Sequence, residues 1–160
     1  MKKIRETTQK IITTLAQNGQ SITFAESCTG GRIAAAFTAI SGASAVLNGA
    51  CITYSNKIKH RWLGVSQETL DTYGAVSHQC VSEMLEGIIK MANADYAIAV
   101  SGIAGPTGGT PDKPVGTVYI GIRTPHTQEI HHCLFEGDRE AVQMHSTYFS
   151  IEKLAALLKI

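Results

Sequence analysis

Ser27 stands in the run Phe24-Ala-Glu-Ser-Cys-Thr-Gly-Gly31, where an apolar, β-prone stretch (Ile22, Thr23, Phe24) stops and an alanine-rich stretch from Ile33 to Ile40 begins. The pattern reads as strand, tight turn and helix. Such a turn sets a hydroxyl at the C-terminal end of a strand and backbone N–H groups at the start of a helix. The hydroxyl can attack a carbonyl and the N–H groups can hold an anion. The same residues suit a plainer use, in which Ser27 or Thr29 only caps the helix.

A serine nucleophile needs a base. The chain has six histidines, and no motif ties any of them to Ser27. The G-x-S-x-G elbow is absent, because Ser27 is flanked by Ala25-Glu26 and Cys28-Thr29. Lys57 and Lys59 follow Tyr54 closely and are the other candidates. A lysine acts as a base only if burial or a neighbouring cation brings its pKa toward neutrality. Tyr54 would then relay the proton or hold the lysine; the plain alternative is two solvated lysines at a helix start. Cys28 is a second candidate nucleophile if the helix N-terminus stabilises its thiolate, and otherwise a buried packing residue. Ser150 and Lys153 spell S-x-x-K, but inside an amphipathic helical stretch, where the match is chance.

Two further clusters invite chemistry. The loop Gly102-Ile-Ala-Gly-Pro-Thr-Gly-Gly-Thr-Pro111 has the composition of a phosphate cradle. It lacks the Gly-Lys-Ser/Thr end of a P-loop and the G-x-G-x-x-G spacing. It therefore reads either as a mononucleotide phosphate site built from backbone N–H groups or as a rigid turn. His131-His132-Cys133 suggests a metal, yet neighbours on a strand face opposite sides, which leaves at most His131 and Cys133 together. No metal is expected.

The elements that would position these residues follow from periodicity. Helices are expected over 4–18, 31–40, 55–63, from Ser66 to about Tyr73, over 79–92, and from Asp138 to the end, the last burying Val142, Phe149, Leu154 and Leu157. Strands are expected over 21–25, 46–54, 95–101, 115–123 and 128–135, the last two as an antiparallel hairpin. The order predicts one α/β domain over residues 1–160, with helices on both faces of a mixed sheet. In open α/β sheets ligands bind beyond the carboxyl ends of the strands. Glu26-Ser27, Tyr54-Ser55-Asn56 and the Gly102–Gly109 loop all fall at such ends.

Hydrophobic residues make up 44% and charged residues 17%, so the chain can bury a full core. A net charge of +1 gives no electrostatic footprint for nucleic acid or a membrane surface. Lys3, Arg5, Glu6 and Lys10 interrupt the first apolar residues, so no secretory leader is read there. The four cysteines form no C-x-x-C pair, and a cytoplasmic location with free thiols is expected.

Six segments taken together carry a resemblance. They are Ala25-Glu-Ser-Cys-Thr-Gly-Gly31, Tyr54-Ser-Asn-x-x-Lys59, Gly74-Ala-Val-Ser77, Ser101-Gly-Ile-Ala-Gly-Pro106 with Gly108-Gly109, Lys113-Pro-Val-Gly-Thr-Val118 and Gly137-Asp-Arg139. In this order, over residues 5 to 155, they resemble the CinA C-terminal domain family, which includes stand-alone nicotinamide-nucleotide amidases. The resemblance implies a three-layer α/β/α sandwich with a mixed, mostly parallel sheet. It implies hydrolysis of the carboxamide of nicotinamide mononucleotide to nicotinic acid mononucleotide and ammonia, without a cofactor. It further implies Ser27 as nucleophile, Lys59 as base and Tyr54 as the assisting hydroxyl, with the oxyanion on N–H groups near Thr29 to Gly31.

The substrate-binding set expected from it is Thr29, Gly30, Gly31, Asn56, Gly102, Gly105, Gly108, Gly109 and Arg139, with Arg32 as a second charge partner for the phosphate. Lys57 stands where the family more often has an acidic or small residue. Gln143 stands where it commonly has a basic one, which keeps open a second reading, a catalytically silent nucleotide-binding or interaction module. A different small-amide hydrolase is the third. The expected partner is a small-molecule nucleotide, and the expected assembly a homo-oligomer, taken as a dimer.

Overall fold

The computed structural model describes residues 2–160, and its element order matches the one the periodicity predicts. Helix α1 (Lys2–Gln17) leads into β1 (Ile22–Glu26), α2 (Arg32–Thr38) and, after a short 3₁₀ turn, β2 (Leu47–Ile52). Helices α3 (Asn56–Leu63), α4 (Gln67–Thr72) and α5 (His78–Ala92) follow. Strands β3 (Tyr96–Gly102), β4 (Thr117–Arg123) and β5 (Gln128–Leu134) come next, and α6 (Arg139–Leu157) closes the chain.

The five strands form one sheet in the order β2-β1-β3-β4-β5. β1 runs parallel to both β2 and β3, whereas β4 is antiparallel to β3 and to β5. β1 is thus central, and all five of its residues are buried, which is why Ile-Thr-Phe-Ala-Glu shows no polar-apolar alternation.

Alternate residues feed two cores. Ile22, Phe24, Ile98 and Val100 meet Ile11 and Leu15 of α1, Ile33 and Phe37 of α2, and Val142 and Leu154 of α6. Ala25, Ala97 and Ala99 on the other face meet Val81, Met84, Leu85 and Ile88 of α5, with Leu63 and Leu70 behind. The sheet is small-residued on that side so that α5 can lie close. A Cβ on Gly121 of β4 would stand 2.7 Å from Leu85 Cδ1 and from Val81 Cγ1. The result is the expected three-layer α/β/α sandwich.

Two expectations about α6 need correcting. Phe149 and Leu157 are only partly buried, at the margin of the first core. The interior face of α6 carries instead Ser146, Thr147 and Ser150 beside Val142, Ile151 and Leu154. These hydroxyls enter the core because each donates to the carbonyl one turn back: Ser146 to Val142 at 2.7 Å, Thr147 to Gln143 at 2.8 Å and Ser150 to Ser146 at 2.7 Å. Ser150 is therefore buried and bonded within its own helix, with no access to a substrate.

Candidate active site

The C-terminal ends of β1, β2 and β3 open into a cleft of about 250 Å³. Ser27 follows β1, Tyr54 and Asn56 follow β2, and Ser101 and Gly102 end β3. Lys59 reaches the cleft from the first turn of α3. The β1/β2 ladder runs one rung past the strands, since Thr53 N–H donates to the Glu26 carbonyl at 2.9 Å. That rung holds the chain leading to Lys59 against the chain leading to Ser27.

Lys59 is the most unusual side chain of the molecule, for it is 1% exposed. Its Nζ lies 3.1 Å from Ser27 Oγ, 2.7 Å from the Thr53 carbonyl and 3.1 Å from the Tyr54 carbonyl. Burial lowers its pKa from 10.5, because the ammonium form is desolvated. Cys80 and Cys28 would raise it only as thiolates, and burial pushes those thiols up to about 11 and about 12, so near neutral pH they carry no charge. A neutral amine has two hydrogens and one lone pair. In that neutral form the two carbonyls would take the hydrogens, and the lone pair would be left for the Ser27 hydroxyl proton; as the ammonium, Nζ donates to all three oxygens. Lys57, by contrast, is exposed.

Cys28 is no nucleophile at neutral pH, since burial raises its thiol to about 12. None of the six histidines lines the cleft among the described residues. His131 pairs with Glu129 at 3.1 Å, and His132 stacks on Tyr119 at 4.6 Å between centroids.

The turn after β1 differs from the expectation. Neither Ser27 nor Thr29 caps α2. Its N-cap is Gly31, at φ 93° and without a side-chain cap, a backbone conformation that glycine tolerates. The capping anion is Glu26, fully buried. Glu26 Oε2 accepts from Gly31 N at 3.0 Å and Ile33 N at 3.2 Å, and from Thr29 Oγ1 at 2.6 Å. Its Oε1 accepts from Ala34 N at 2.9 Å. Gly30 N is bound to the Ser27 carbonyl at 3.0 Å. The helix start is thus occupied by the chain's own carboxylate, and Thr29, Gly30 and Gly31 do not line the cleft. An acid directly before the serine and a glycine pair after the turn was the available signal.

The loop after β3 does line the cleft, through Gly102, Ile103, Ala104, Gly105, Thr107 and Gly108. Among the described residues the N–H groups of Ala104, Gly105, Thr107 and Gly108 make no hydrogen bond within the chain. Gly109 falls outside. A Cβ there would stand 2.7 Å from Val115 N, so its role is close packing inside the loop.

Arg139, at the start of α6, donates Nη1 to the Gly105 carbonyl at 2.8 Å and Nη2 to the Tyr54 hydroxyl at 2.9 Å. Tyr54 is 60% exposed and touches Lys59 through its backbone carbonyl, not its hydroxyl. Arg32 lies apart, in a neighbouring cavity of about 780 Å³ shared with Arg139 and Gln143, and donates to the Thr29 carbonyl at 3.2 Å. Ala75, Val76 and Ser101 also line the cleft; they stand in the segments that carry the resemblance but were not among the expected site residues, because small residues in a turn or an apolar strand carry no chemical signature of their own.

A three-layer α/β/α fold with a buried lysine against a serine at adjoining strand ends is the architecture of a small Ser–Lys protein with a strand-end cleft. The CinA C-terminal domain model matches residues 4–158, and the chain belongs to that family. It is 47% identical over 158 residues to the nicotinamide-nucleotide amidohydrolase PncC of Enterobacter agglomerans, covering 94% of this chain and 93% of that one. It is 44% identical over 149 residues to a CinA-like protein of Thermotoga neapolitana, covering 93% of this chain but 36% of that protein. The chain thus spans about a third of the length of several curated relatives. Among solved structures, the competence/damage inducible protein CihA from Agrobacterium tumefaciens superposes with a TM-score of 0.93 at 40% identity, covering 96% of this chain and 94% of that one. The CinA superfamily protein from Escherichia coli gives 0.92 at 33%, covering 96% and 90%.

Proposed function

We propose that this chain, taken as one domain over residues 1–160, hydrolyses the carboxamide of nicotinamide mononucleotide to nicotinic acid mononucleotide and ammonia. Ser27 is the nucleophile and Lys59 its base. The observation that carries the reading is the buried Lys59 side chain, whose Nζ lies 3.1 Å from Ser27 Oγ and within hydrogen-bond distance of the Thr53 and Tyr54 carbonyls. The 47% identity to an amidohydrolase over nearly the full length of both chains supports the substrate.

In the reaction, neutral Lys59 takes the Ser27 proton as Oγ attacks the carboxamide carbon. With the start of α2 filled by Glu26, the cleft-lining residues whose N–H groups are free for the oxyanion are Ser27 and Cys28 in the turn and Ala104, Gly105, Thr107 and Gly108 in the loop. The Lys59 ammonium returns its proton to the leaving nitrogen, and ammonia departs. Water then attacks the acyl-serine as Lys59 takes one of its protons. Lys59 returns that proton to Ser27 Oγ as the acyl–oxygen bond breaks, which frees nicotinic acid mononucleotide and restores the serine hydroxyl and the neutral amine. Tyr54, held by Arg139, assists from the cleft mouth, where Asn56 and the Gly102–Gly108 backbone receive the nucleotide. The phosphate takes Arg139 as its charge partner.

No described helix is long and apolar enough to cross a membrane, and the four cysteines are free. We assign the reaction to the cytoplasm, and extend the proposal to a homodimer. The test is ammonia release from nicotinamide mononucleotide by the parent chain and by Ser27→Ala. Release that falls to the uncatalysed level in Ser27→Ala supports the reading. No release by the parent overturns the substrate, and unchanged release in the variant overturns the nucleophile.

A further inference from the structure

Gln143 lies on the second turn of α6, 115 positions from the turn that carries Ser27, yet the two are joined. Its Nε2 donates to the Cys28 carbonyl at 2.8 Å, and its side chain is buried. Each carbonyl around Ser27 has its own partner. Glu26 O accepts from Thr53 N, Ser27 O from Gly30 N, and Thr29 O from Arg32 N and its guanidinium. Cys28 O accepts from Gln143 alone among the described residues. A buried carbonyl without a donor is costly, so the peptide plane would rotate to find another. That plane begins one residue after Ser27, and its rotation would carry Oγ off the line to Lys59.

We propose that Gln143 is a positioning residue, which fixes the Cys28 peptide and thereby the direction of Ser27 Oγ. It rests on the reading of Ser27 as nucleophile. What the position requires is a hydrogen-bond donor that reaches Cys28 O. A positively charged side chain of similar length meets that requirement, and a leucine of similar volume does not. Gln143 also borders the neighbouring cavity with Arg32 and Arg139, so the rival role is direct contact with the ligand. The two roles separate kinetically. Misdirecting a nucleophile lowers kcat, whereas losing a ground-state ligand contact raises KM.

The experiment compares the parent, Gln143→Leu and Gln143→Lys by kcat and KM for ammonia release from nicotinamide mononucleotide. It adds amide hydrogen exchange over residues 27–31, with thermal unfolding to confirm that each is folded. Expected for Gln143→Leu is a kcat lower by about tenfold with KM within about twofold, and faster exchange in the turn. Gln143→Lys is expected to restore both. A raised KM at unchanged kcat overturns the proposal in favour of ligand contact. So does a Gln143→Leu that matches the parent in rate and exchange, or a folded Gln143→Lys as impaired as Gln143→Leu. If the parent releases no ammonia, the amidase reading falls, and the exchange measurement alone decides whether Gln143 holds the turn.

Discussion

The Arg139 guanidinium and the Tyr54 hydroxyl meet at 2.9 Å across 85 positions of sequence. With its other arm Arg139 holds the Gly105 carbonyl at 2.8 Å. One planar cation therefore joins the segment after β2 to the loop after β3 at the mouth of the cleft. Because Arg139 is exposed, each bond is modest. Arg139→Ala is expected to raise KM about fivefold, equivalent to about 1 kcal/mol. Combined with Tyr54→Phe it should show a coupling of about 0.5 kcal/mol or more in a double-mutant cycle, and strict additivity would remove the link.

Lys59 sets the acid side of the pH profile. Its lysine pKa is lowered by burial, and only the amine can accept the Ser27 proton. kcat/KM is expected to rise tenfold per pH unit and level off below pH 10.5, the ordinary lysine value. Lys59→Arg, which stays charged, should lose about a thousandfold at every pH. Stability carries the same signature with a definite sign. Between the lowered folded pKa and 10.5 the unfolded chain binds a proton that the folded chain does not, so stability rises with pH across that window. Urea titrations at several pH values should show this rise in the parent and its absence in Lys59→Met.

Glu26 makes four hydrogen bonds from a fully buried carboxylate. Glu26→Gln places amide hydrogens against backbone N–H groups and removes the charge that complements the helix start. A loss of about 3 kcal/mol is expected, read from the urea midpoint at constant slope. A variant as stable as the parent would mean that α2 does not depend on this cap.

Thr53 supplies the opposite case. Its hydroxyl is buried with no partner among the described residues, while its carbonyl holds Lys59. Thr53→Val keeps the shape and the carbonyl and removes the orphan. Stability should hold or rise by up to about 1 kcal/mol, with ammonia release within about twofold of the parent. A marked drop in turnover would show that the hydroxyl acts in the reaction.

The elements were legible because their periods are clean and, α2 apart, several of their caps are conventional. Ser66 and Asp138 accept from Thr69 N and Ala141 N as their types suggest. Three things were not legible. Thr29 to Gly31 carry the composition of an anion site, but a carboxylate three residues earlier reaches the same donors first, and sequence does not say which acceptor wins. The polar interior of α6 escaped because Ser146, Thr147 and Ser150 hide their hydroxyls in their own helix, where a hydrophobicity pattern counts them as surface. Lys57 and Lys59 were indistinguishable by type; two positions along a helix turn the side chain by roughly 200° and separate solvent from interior.

The rung from Thr53 N–H to the Glu26 carbonyl has a consequence for how the protein fails. Ser27 follows the central strand β1, whereas Lys59 follows β2, which lies at the edge of the sheet with alternate residues exposed. A buried central strand opens only with the whole molecule, but an edge strand can part from its one neighbour at lower cost. The Ser27–Lys59 distance should therefore be lost when β2 parts from β1. Thermal inactivation then sets in at or before global unfolding.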